Sequence, residues 1–314
     1  MPAIYLRNVL PTLQRWHQAG LKTALVTLFN TDGSTPRPLG SQMAIAENGD
    51  AVGNITGGCA EAAIIAEAQA CMAAGQNRSL RYGAGSPYID IRLPCGSGID
   101  VYFDVNFSTT DLARLLAAEQ SRRPAWLALD PNNHRIEVGI DTATPPSAPG
   151  LYLRAYPPIT RLVLAGKGPA LPILARLASA ADFEVIALSP EPETLEATQA
   201  HAARTSPLTT PDAFHFNEFD RFTAFVSLFH EHEWEPPILR LALASDCFYV
   251  GALGSKRTHQ ERVEALRKLG VKESNIARIR APVGLKLGGK NPPEIALAIL
   301  AEIVKTQYAI ADGA

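Results

Sequence analysis

The second half of the chain carries the pattern that most restricts its fold: an apolar run, a glycine turn, a helix and a second apolar run. The runs are Leu162–Ala165 and Glu184–Leu188, and the turn Gly166-Lys167-Gly168-Pro169 opens a helix to about Ala180. Further apolar runs at 224–228 and 248–253 alternate with helical stretches. This alternation predicts βαβ units and an α/β fold, with a Rossmann-like, doubly wound, mostly parallel sheet.

The first half of the chain mixes helical and hairpin patterns. Residues 3–19 predict an amphipathic helix, and residues 21–29 predict an apolar strand. Asn48-Gly49 lies between apolar runs at 43–46 and 51–55, which is a strong hairpin signal. We therefore expect an N-terminal mixed α/β domain.

Domain boundaries follow from a change in composition. The stretch 142–150 is Pro-rich and nearly uncharged, as linkers and domain boundaries often are. We predict an N-terminal domain over 1–107, a connecting segment or linker over 108–158, and the Rossmann-like domain over 159–314.

Composition limits the classes of function. The 314 residues are 46% hydrophobic with a net charge of −2, which indicates a globular protein with a full core. Neither nucleic acid nor a membrane surface is an expected partner, because the basic residues are scattered. The chain shows no signal-peptide pattern and no membrane-length apolar run, so we expect a cytoplasmic protein. Four cysteines without a Cys-x-x-Cys pair suggest neither a disulfide scaffold nor a structural zinc site.

Two glycine-rich loops each present a thiol. Gly57, Gly58 and Cys59 precede a helix-forming run, and Cys95 and Gly96 lie between two predicted strands. A helix N-terminus favours an anion, either a bound phosphate-like group or the thiolate itself. The alternative is that each cysteine is a small buried hydrophobe in a tight turn.

The turn at Gly166 and Gly168 matches only part of a dinucleotide fingerprint. Leu171 stands where the third glycine is expected, and the acidic residue after the second strand, Glu191, comes two positions late. NAD(P) binding is therefore disfavoured, although another phosphate-bearing ligand could use the same helix N-terminus.

Taken together, the motifs resemble the XdhC/CoxI family of molybdenum-hydroxylase maturation factors. The resemblance rests on six segments distributed over both halves of the chain. They are 33–43 (GSTPRPLGSQM), 53–61 (GNITGGCAE), 95–101 (CGSGIDV), 229–233 (FHEHE), 249–258 (YVGALGSKRT) and 282–296, which begins PVGL.

The resemblance implies a binding and transfer protein without catalysis of its own. Such a protein holds molybdenum cofactor (molybdopterin) while a cysteine desulfurase supplies sulfur, and then delivers it to an apo-molybdenum hydroxylase of the xanthine dehydrogenase type. The resemblance also implies a homodimer. Two other functions stay open: an NAD(P)-dependent oxidoreductase, and a thiol-based sulfurtransferase acting through Cys59.

The cofactor's phosphate and pterin require anion-accepting loops and polar side chains. The candidates are the glycine loops already described, Arg37 as a phosphate contact, and a cradle formed by Gly254, Ser255, Lys256 and Arg257. His230 and His232 would share one face of an extended segment and could contact the cofactor. The alternatives are a solvated arginine, an ordinary helix N-terminus and a structural histidine pair, and no metal ligand set is identified.

Overall fold

The computed structural model describes residues 8–34, 37–86, 93, 96–141, 145–210, 218–229 and 234–311. The chain divides into two compact units, Met1–Pro158 and Ile159–Ala314. Each unit contains its own sheets and helices, which confirms the predicted order of a mixed α/β part followed by a Rossmann-like part.

The first unit is built on an antiparallel sheet. Its elements are α1 (Leu10–Gln18), β1 (Thr23–Asp32), β2 (Gln42–Ala46), β3 (Ala51–Gly53), α2 (Glu61–Ala74), β4 (Arg78–Gly83) and β5 (Gly98–Asp104). Within the described residues the strand order is β3-β2-β1-β5-β4. Asn48 and Gly49 form the turn between β2 and β3, as the sequence predicts, and Gly75 ends α2 in the left-handed conformation that favours glycine.

Residues 108–158, predicted as a connecting segment or linker, carry secondary structure of their own. They form α3 (Thr109–Gln120) and a three-stranded sheet of β6 (Ala125–Asp130), β7 (Arg135–Ile140) and β8 (Tyr152–Tyr156). Leu115, Leu127 and Leu129 are buried in one cluster with Leu25 of β1. Alternate residues of β1 point to opposite sides of the antiparallel sheet. The segment 108–158 therefore covers the face of this sheet to which Leu25 points.

The second unit is a doubly wound parallel sheet. Its elements are β9 (Arg161–Gly166), α4 (Ala170–Ala180), β10 (Glu184–Ser189), α5 (Pro192–Gln199), β11 (Arg204–Pro207), β12 (Thr223–Leu228), α6 (Glu235–Ala244), β13 (Tyr249–Ala252), α7 (Lys256–Lys268), α8 (Glu273–Ile276), β14 (Ile279–Arg280) and α9 (Pro292–Ala311). The order of the described strands is β11-β10-β9-β12-β13-β14. Counted within the unit this is 3-2-1-4-5-6, the order typical of Rossmann folds.

The two faces of this sheet have separate apolar cores. Val163 and Phe225 pack on one face with α6, and Leu162 and Val226 pack on the other with α4 and α9. Covering both faces makes the strands nearly continuous apolar runs, which is why the sequence predicted them well. No helix among the described residues is long and apolar enough to cross a membrane.

Candidate functional site

Three connecting loops of the first unit leave the same edge of its sheet. β1 and β3 end at this edge, β2 and β5 begin there, and β4 ends beside the start of β5. The connections that follow β1, β3 and β4 contain Arg37, Gly57 to Cys59, and Gly96, respectively. The topology thus brings the sequence-predicted loops of this unit to one edge.

The loop before α2 is organised around a carboxylate. Glu61 accepts hydrogen bonds from the backbone N–H groups of Ile55 at 3.2 Å, Thr56 at 2.7 Å, Gly58 at 2.8 Å and Ala60 at 3.3 Å. The Thr56 hydroxyl also donates to it, at 2.5 Å. Several N–H groups that a bound phosphate could use are therefore occupied by the protein's own anion. Burial alone would raise the pKa of Glu61, but the hydrogen bonds from Thr56, Ile55 and the Glu61 backbone outweigh burial and lower it.

The cysteines fall into two groups. Cys59 is exposed, and it lies two residues before the first helical residue of α2 rather than within its first turn. Cys71 and Cys247 are buried, and burial raises the pKa of each thiol to about 11. Cys95 lies outside the described residues, and its neighbour Gly96 is exposed with a positive φ of 69°. Of the described cysteines, Cys59 is therefore the accessible one.

The loop that carries Arg37 is held by the three-stranded sheet. The guanidinium of Arg154, on β8, donates to the carbonyl oxygen of Gly40 at the end of this loop. Gly40 has a φ of 83°, a left-handed conformation that favours glycine, and an added Cβ would also lie 2.5 Å from the Tyr152 hydroxyl oxygen. Arg37 itself is half-buried.

In the second unit, a cleft of about 880 Å³ opens at the carboxyl edge of the parallel sheet. Its lining includes Lys167 to Ala170 after β9, Glu191 after β10, Leu253 to Ser255 after β13, and Lys290 before α9. Ligands of open α/β sheets bind at this edge, and the helices that begin here direct unpaired N–H groups towards it. The cleft has the size of an ordinary small-molecule site.

The two glycines of the fingerprint turn have different roles. Gly166 is the last residue of β9, and an added Cβ would lie 2.6 Å from the Cβ of Leu228 on β12, so strand packing explains this glycine. Gly168 lines the cleft with a φ of 76°, and its N–H donates to the Glu191 carboxylate at 3.1 Å. A hydrogen bond from Thr194 is the main cause of a lowered pKa at Glu191, with the Gly168 N–H and Lys167 contributing.

Of the four residues of the predicted cradle at α7, two line the cleft. Gly254 and Ser255 line it, and the Ser255 hydroxyl caps α7 by accepting from the Thr258 N–H at 3.2 Å. Lys256 and Arg257 are exposed, and Arg257 pairs with Glu261 one turn along the helix. Exposed cations of this kind are ordinary features of a solvated helix face.

His230 and His232 lie outside the described residues, between β12 and α6. On either side of them, the rings of Phe229 and Trp234 stack with centroids 6.0 Å apart. The ammonium of Lys167 lies 6.0 Å from the centre of the Trp234 ring. In the part of the chain that the structure describes, no cluster of three or more His, Cys, Asp or Glu could hold a metal.

Sequence reasoning did not select several residues of the cleft, among them Lys167, Glu191 and Lys290. Lys167 lies inside the glycine turn and Glu191 is the late acidic residue, so both had a visible signal. Lys290 lies in the segment 282–296 that carries the family resemblance, but no local pattern predicts that it reaches the cleft from the segment before α9.

A model of the XdhC Rossmann domain matches residues 162–303, and a model of the XdhC and CoxI family matches residues 16–83. The molybdenum cofactor insertion chaperone PaoD of Escherichia coli (strain K12) is 33% identical over 290 residues, covering 92% of this chain and 85% of PaoD.

Two more distant proteins align along most of their length. A probable xanthine dehydrogenase subunit of Bacillus subtilis (strain 168) is 23% identical, with 92% of this chain and 94% of that protein covered. A crystal structure of a xanthine dehydrogenase from Bacillus halodurans has a TM-score of 0.77 at 20% identity, with 96% of each chain covered, and this likeness supports the fold. The two family models and the match to PaoD confirm the resemblance seen in the sequence: the chain belongs to the XdhC and CoxI family.

Proposed function

We propose that this protein binds molybdenum cofactor as cargo, supports its sulfuration, and transfers it to a xanthine dehydrogenase-type molybdenum hydroxylase. The observation that carries the proposal is the 33% identity to a molybdenum cofactor insertion chaperone over 92% of the chain. A match of this length includes both units, so the similarity to the chaperone is not limited to one domain.

The cleft of the second unit has the chemistry that the phosphate of the cargo requires. Lys167 and Lys290 supply positive charge, and α4 and α7 begin beside the cleft, at Ala170 and Lys256. A phosphate at these helix N-termini would accept hydrogen bonds from unpaired N–H groups and interact favourably with the helix dipoles. Gly168, Gly254 and Ser255 are the sequence-predicted residues that we assign to this contact.

The remaining predicted contacts stay part of the proposal. In the first unit, Arg37, Gly57, Gly58 and Gly96 share one sheet edge, and Cys59 presents an exposed thiol there. We assign these residues, with Cys95, to cargo contact or sulfur handling, and we assign His230 and His232 to cargo contact. Gly166, Lys256 and Arg257 are weaker candidates because of their packing and exposure.

The proposal includes partners. The sulfur that the cargo receives comes from a cysteine desulfurase, and the apo-hydroxylase takes up the completed cofactor. We propose that the protein acts as a homodimer in the cytoplasm and catalyses no reaction of its own. NAD(P) has less support, since the buried Leu171 replaces the third fingerprint glycine and Glu191 already accepts the Gly168 N–H.

The test is a purification with one variant and one matched control. Ala170→Glu places a carboxylate in the cleft at the start of α4, where it repels phosphate but suits the helix dipole and should keep the fold. The control, Thr110→Glu, adds the same charge to the exposed first turn of α3.

Each protein is isolated anaerobically from a molybdenum-replete host, and bound pterin is oxidised with acidic iodine and measured by fluorescence. We expect pterin in the native protein and in Thr110→Glu, and its loss in Ala170→Glu. Absence of pterin from the native protein, even after incubation with free cofactor, would contradict the proposed function. Equal pterin in all three would place the cargo elsewhere.

A further inference from the structure

A buried ion pair lies directly behind a turn that lines the cleft of the second unit. Arg262 of α7 donates to Glu235 of α6 through Nε at 2.6 Å and through Nη2 at 3.1 Å. The two side chains are 0% and 5% exposed. The same Nη2 group donates to the carbonyl oxygen of Leu253 at 2.5 Å. Leu253 lines the cleft and immediately precedes Gly254.

The backbone of Leu253 is fixed on both sides. Its N–H donates to the carbonyl oxygen of Ser227 at 2.9 Å, and its carbonyl accepts from Arg262. The Ser227 hydroxyl in turn donates to Glu235 at 2.7 Å. One network therefore connects the carboxyl end of β12 and the start of α6 to the turn between β13 and α7.

Fold stability alone does not account for this pair. Removing a guanidinium and a carboxylate from water offsets much of their attraction, and apolar side chains of similar volume often serve a core as well or better. An apolar pair would leave the Leu253 carbonyl without this donor. What the ions add is direction, because the planar guanidinium holds its donors in fixed positions.

We propose that Arg262 and Glu235 are positioning residues that hold the Leu253–Ser255 turn in the geometry that accepts the phosphate-bearing cargo. The inference rests on the proposed function, since it concerns the same cleft. The pair contacts the turn from behind, so it acts through the Leu253 carbonyl and not by touching the cargo. Supporting groups of this kind commonly change ligand affinity by ten-fold or more.

The experiment compares two ion pairs whose arginines both lie on α7. Glu235→Leu/Arg262→Met removes the buried pair while keeping apolar volume. Glu273→Leu/Arg267→Met is the control, because Arg267 and Glu273 form an equally bidentate pair, at 2.6 and 3.0 Å, that is 54% and 66% exposed. Binding is measured by anaerobic ultrafiltration with molybdenum cofactor released from a molybdenum hydroxylase, and folding by the circular dichroism melting curve.

We expect the buried-pair variant to bind the cofactor about ten-fold more weakly or worse, with a melting temperature within about 5 °C of the native protein. The control should match the native protein in both measurements. Unchanged affinity in the buried-pair variant would overturn the inference alone. Failure of the native protein to bind the cofactor would instead overturn the proposed function, and the inference with it.

A second variant covers the case in which the double variant does not fold. Arg262→Lys keeps a cation beside Glu235, but a lysine cannot hold the carboxylate and the Leu253 carbonyl in the same fork geometry. A five-fold or greater loss of cofactor affinity in the folded Arg262→Lys protein supports the positioning role. Native affinity in this variant overturns it.

Discussion

At the residue scale, the Glu61 carboxylate accepts hydrogen bonds from four backbone N–H groups and one hydroxyl of the loop that precedes α2. The glycines at 57 and 58 adopt φ values of 77° and 108°, which let the chain turn around this carboxylate. Glycine content alone suggested an anion site here. The structure shows that an internal anion already takes a large part of that capacity, and that Cys59 is presented outward.

The first prediction concerns Glu61→Gln. An amide has one acceptor oxygen and adds two donors among existing donors, so we expect the first unit to lose about 1–3 kcal/mol of stability at pH 7. The lowered pKa means that the native carboxylate stabilises the fold at pH values above its unfolded pKa, and that this contribution disappears as the pH falls through the folded pKa. Denaturant unfolding at pH 7 and at stepwise lower pH measures both effects.

A suitable control is Glu47→Gln, an exposed carboxylate that accepts the Lys22 N–H. It should change stability by less than about 0.5 kcal/mol. If Glu61→Gln were as mild as this control, or kept the full acid dependence of the native protein, the assigned role of the carboxylate would be wrong.

The second prediction concerns Glu191→Gln in the cleft. The native carboxylate lies 3.1 Å from the Gly168 N–H, where it competes with an incoming phosphate for the same donor. Its lowered pKa keeps it ionised at neutral pH. Neutralising it should tighten binding of pyrophosphate, used as a probe, by roughly two- to five-fold at low salt, an effect that screening reduces. Calorimetric titration at pH 7.5 measures the change, and weaker pyrophosphate binding would contradict it.

At the element scale, the pairing of β9 with β12 leaves no room for a side chain at Gly166. These strands pair in parallel from Arg161 and Thr223 to Gly166 and Leu228, and a Cβ at 166 would approach Leu228 backbone and side-chain atoms within 3 Å. The glycine that looked like part of a nucleotide fingerprint therefore has a sufficient packing reason.

The third prediction is that Gly166→Ala destabilises the second unit by about 1–3 kcal/mol, because a packed core must shift to admit the methyl group. Gly270→Ala serves as the comparison, since nothing lies within 4 Å of the Cβ there and only its φ of 74° opposes the change. Thermal unfolding of both variants separates the packing and backbone effects. A Gly166→Ala protein as stable as the native one would contradict the packing assignment.

Elements with strong local signals were predictable, and elements stabilised by distant partners were not. The runs that became β9, β10 and β12 are apolar because helices cover both faces of the sheet, so their pattern is visible in the sequence. β4 was not predicted from the sequence, because Arg78 and Arg81 interrupt its apolar pattern. Arg81 is nevertheless accommodated by ion pairs with Asp100 on the adjacent strand β5 and with Asp32 on β1, one strand further, which no local pattern reveals.

At the scale of the whole molecule, the apolar clusters of each unit consist, among the described residues, of that unit's own side chains. The first unit packs both faces of its antiparallel sheet, and the second packs both faces of its parallel sheet. The family match also spans both halves, with models at 16–83 and 162–303. Because each unit has apolar clusters of its own, the two units have the character of separate folding units.

The fourth prediction is that residues 159–314, produced alone, fold cooperatively. All of the buried clusters described for this unit would be retained, so its melting curve should keep a single sharp transition. Calorimetry and circular dichroism of the fragment test this, with the full chain as reference. A fragment with helical signal but no cooperative transition would show that the second unit depends on the first.

The candidate site could be predicted only in part for the same physical reason. Gly168, Gly254 and Ser255 follow apolar strands. Because a parallel sheet brings the carboxyl ends of its strands to one edge, the position of these residues was predictable from the sequence. Lys290 joins them through the packing of α9 against α4, and the Arg262–Glu235 pair depends on how α6 and α7 meet. These contacts arise from tertiary packing, so no regular spacing of residues in the sequence predicts them.

In the first unit, the three proposed contact loops all leave one edge of the antiparallel sheet, so the opposite edge is free of them. The tight turn at Asn48 and Gly49 lies at the opposite end of β2 and β3, where Asn48 is exposed and Gly49 half-buried. Loop tips of this kind tolerate inserted chain. A fluorophore or an affinity peptide attached at this turn would therefore allow the protein to be tracked or immobilised during cofactor transfer while its proposed contact loops remain unobstructed.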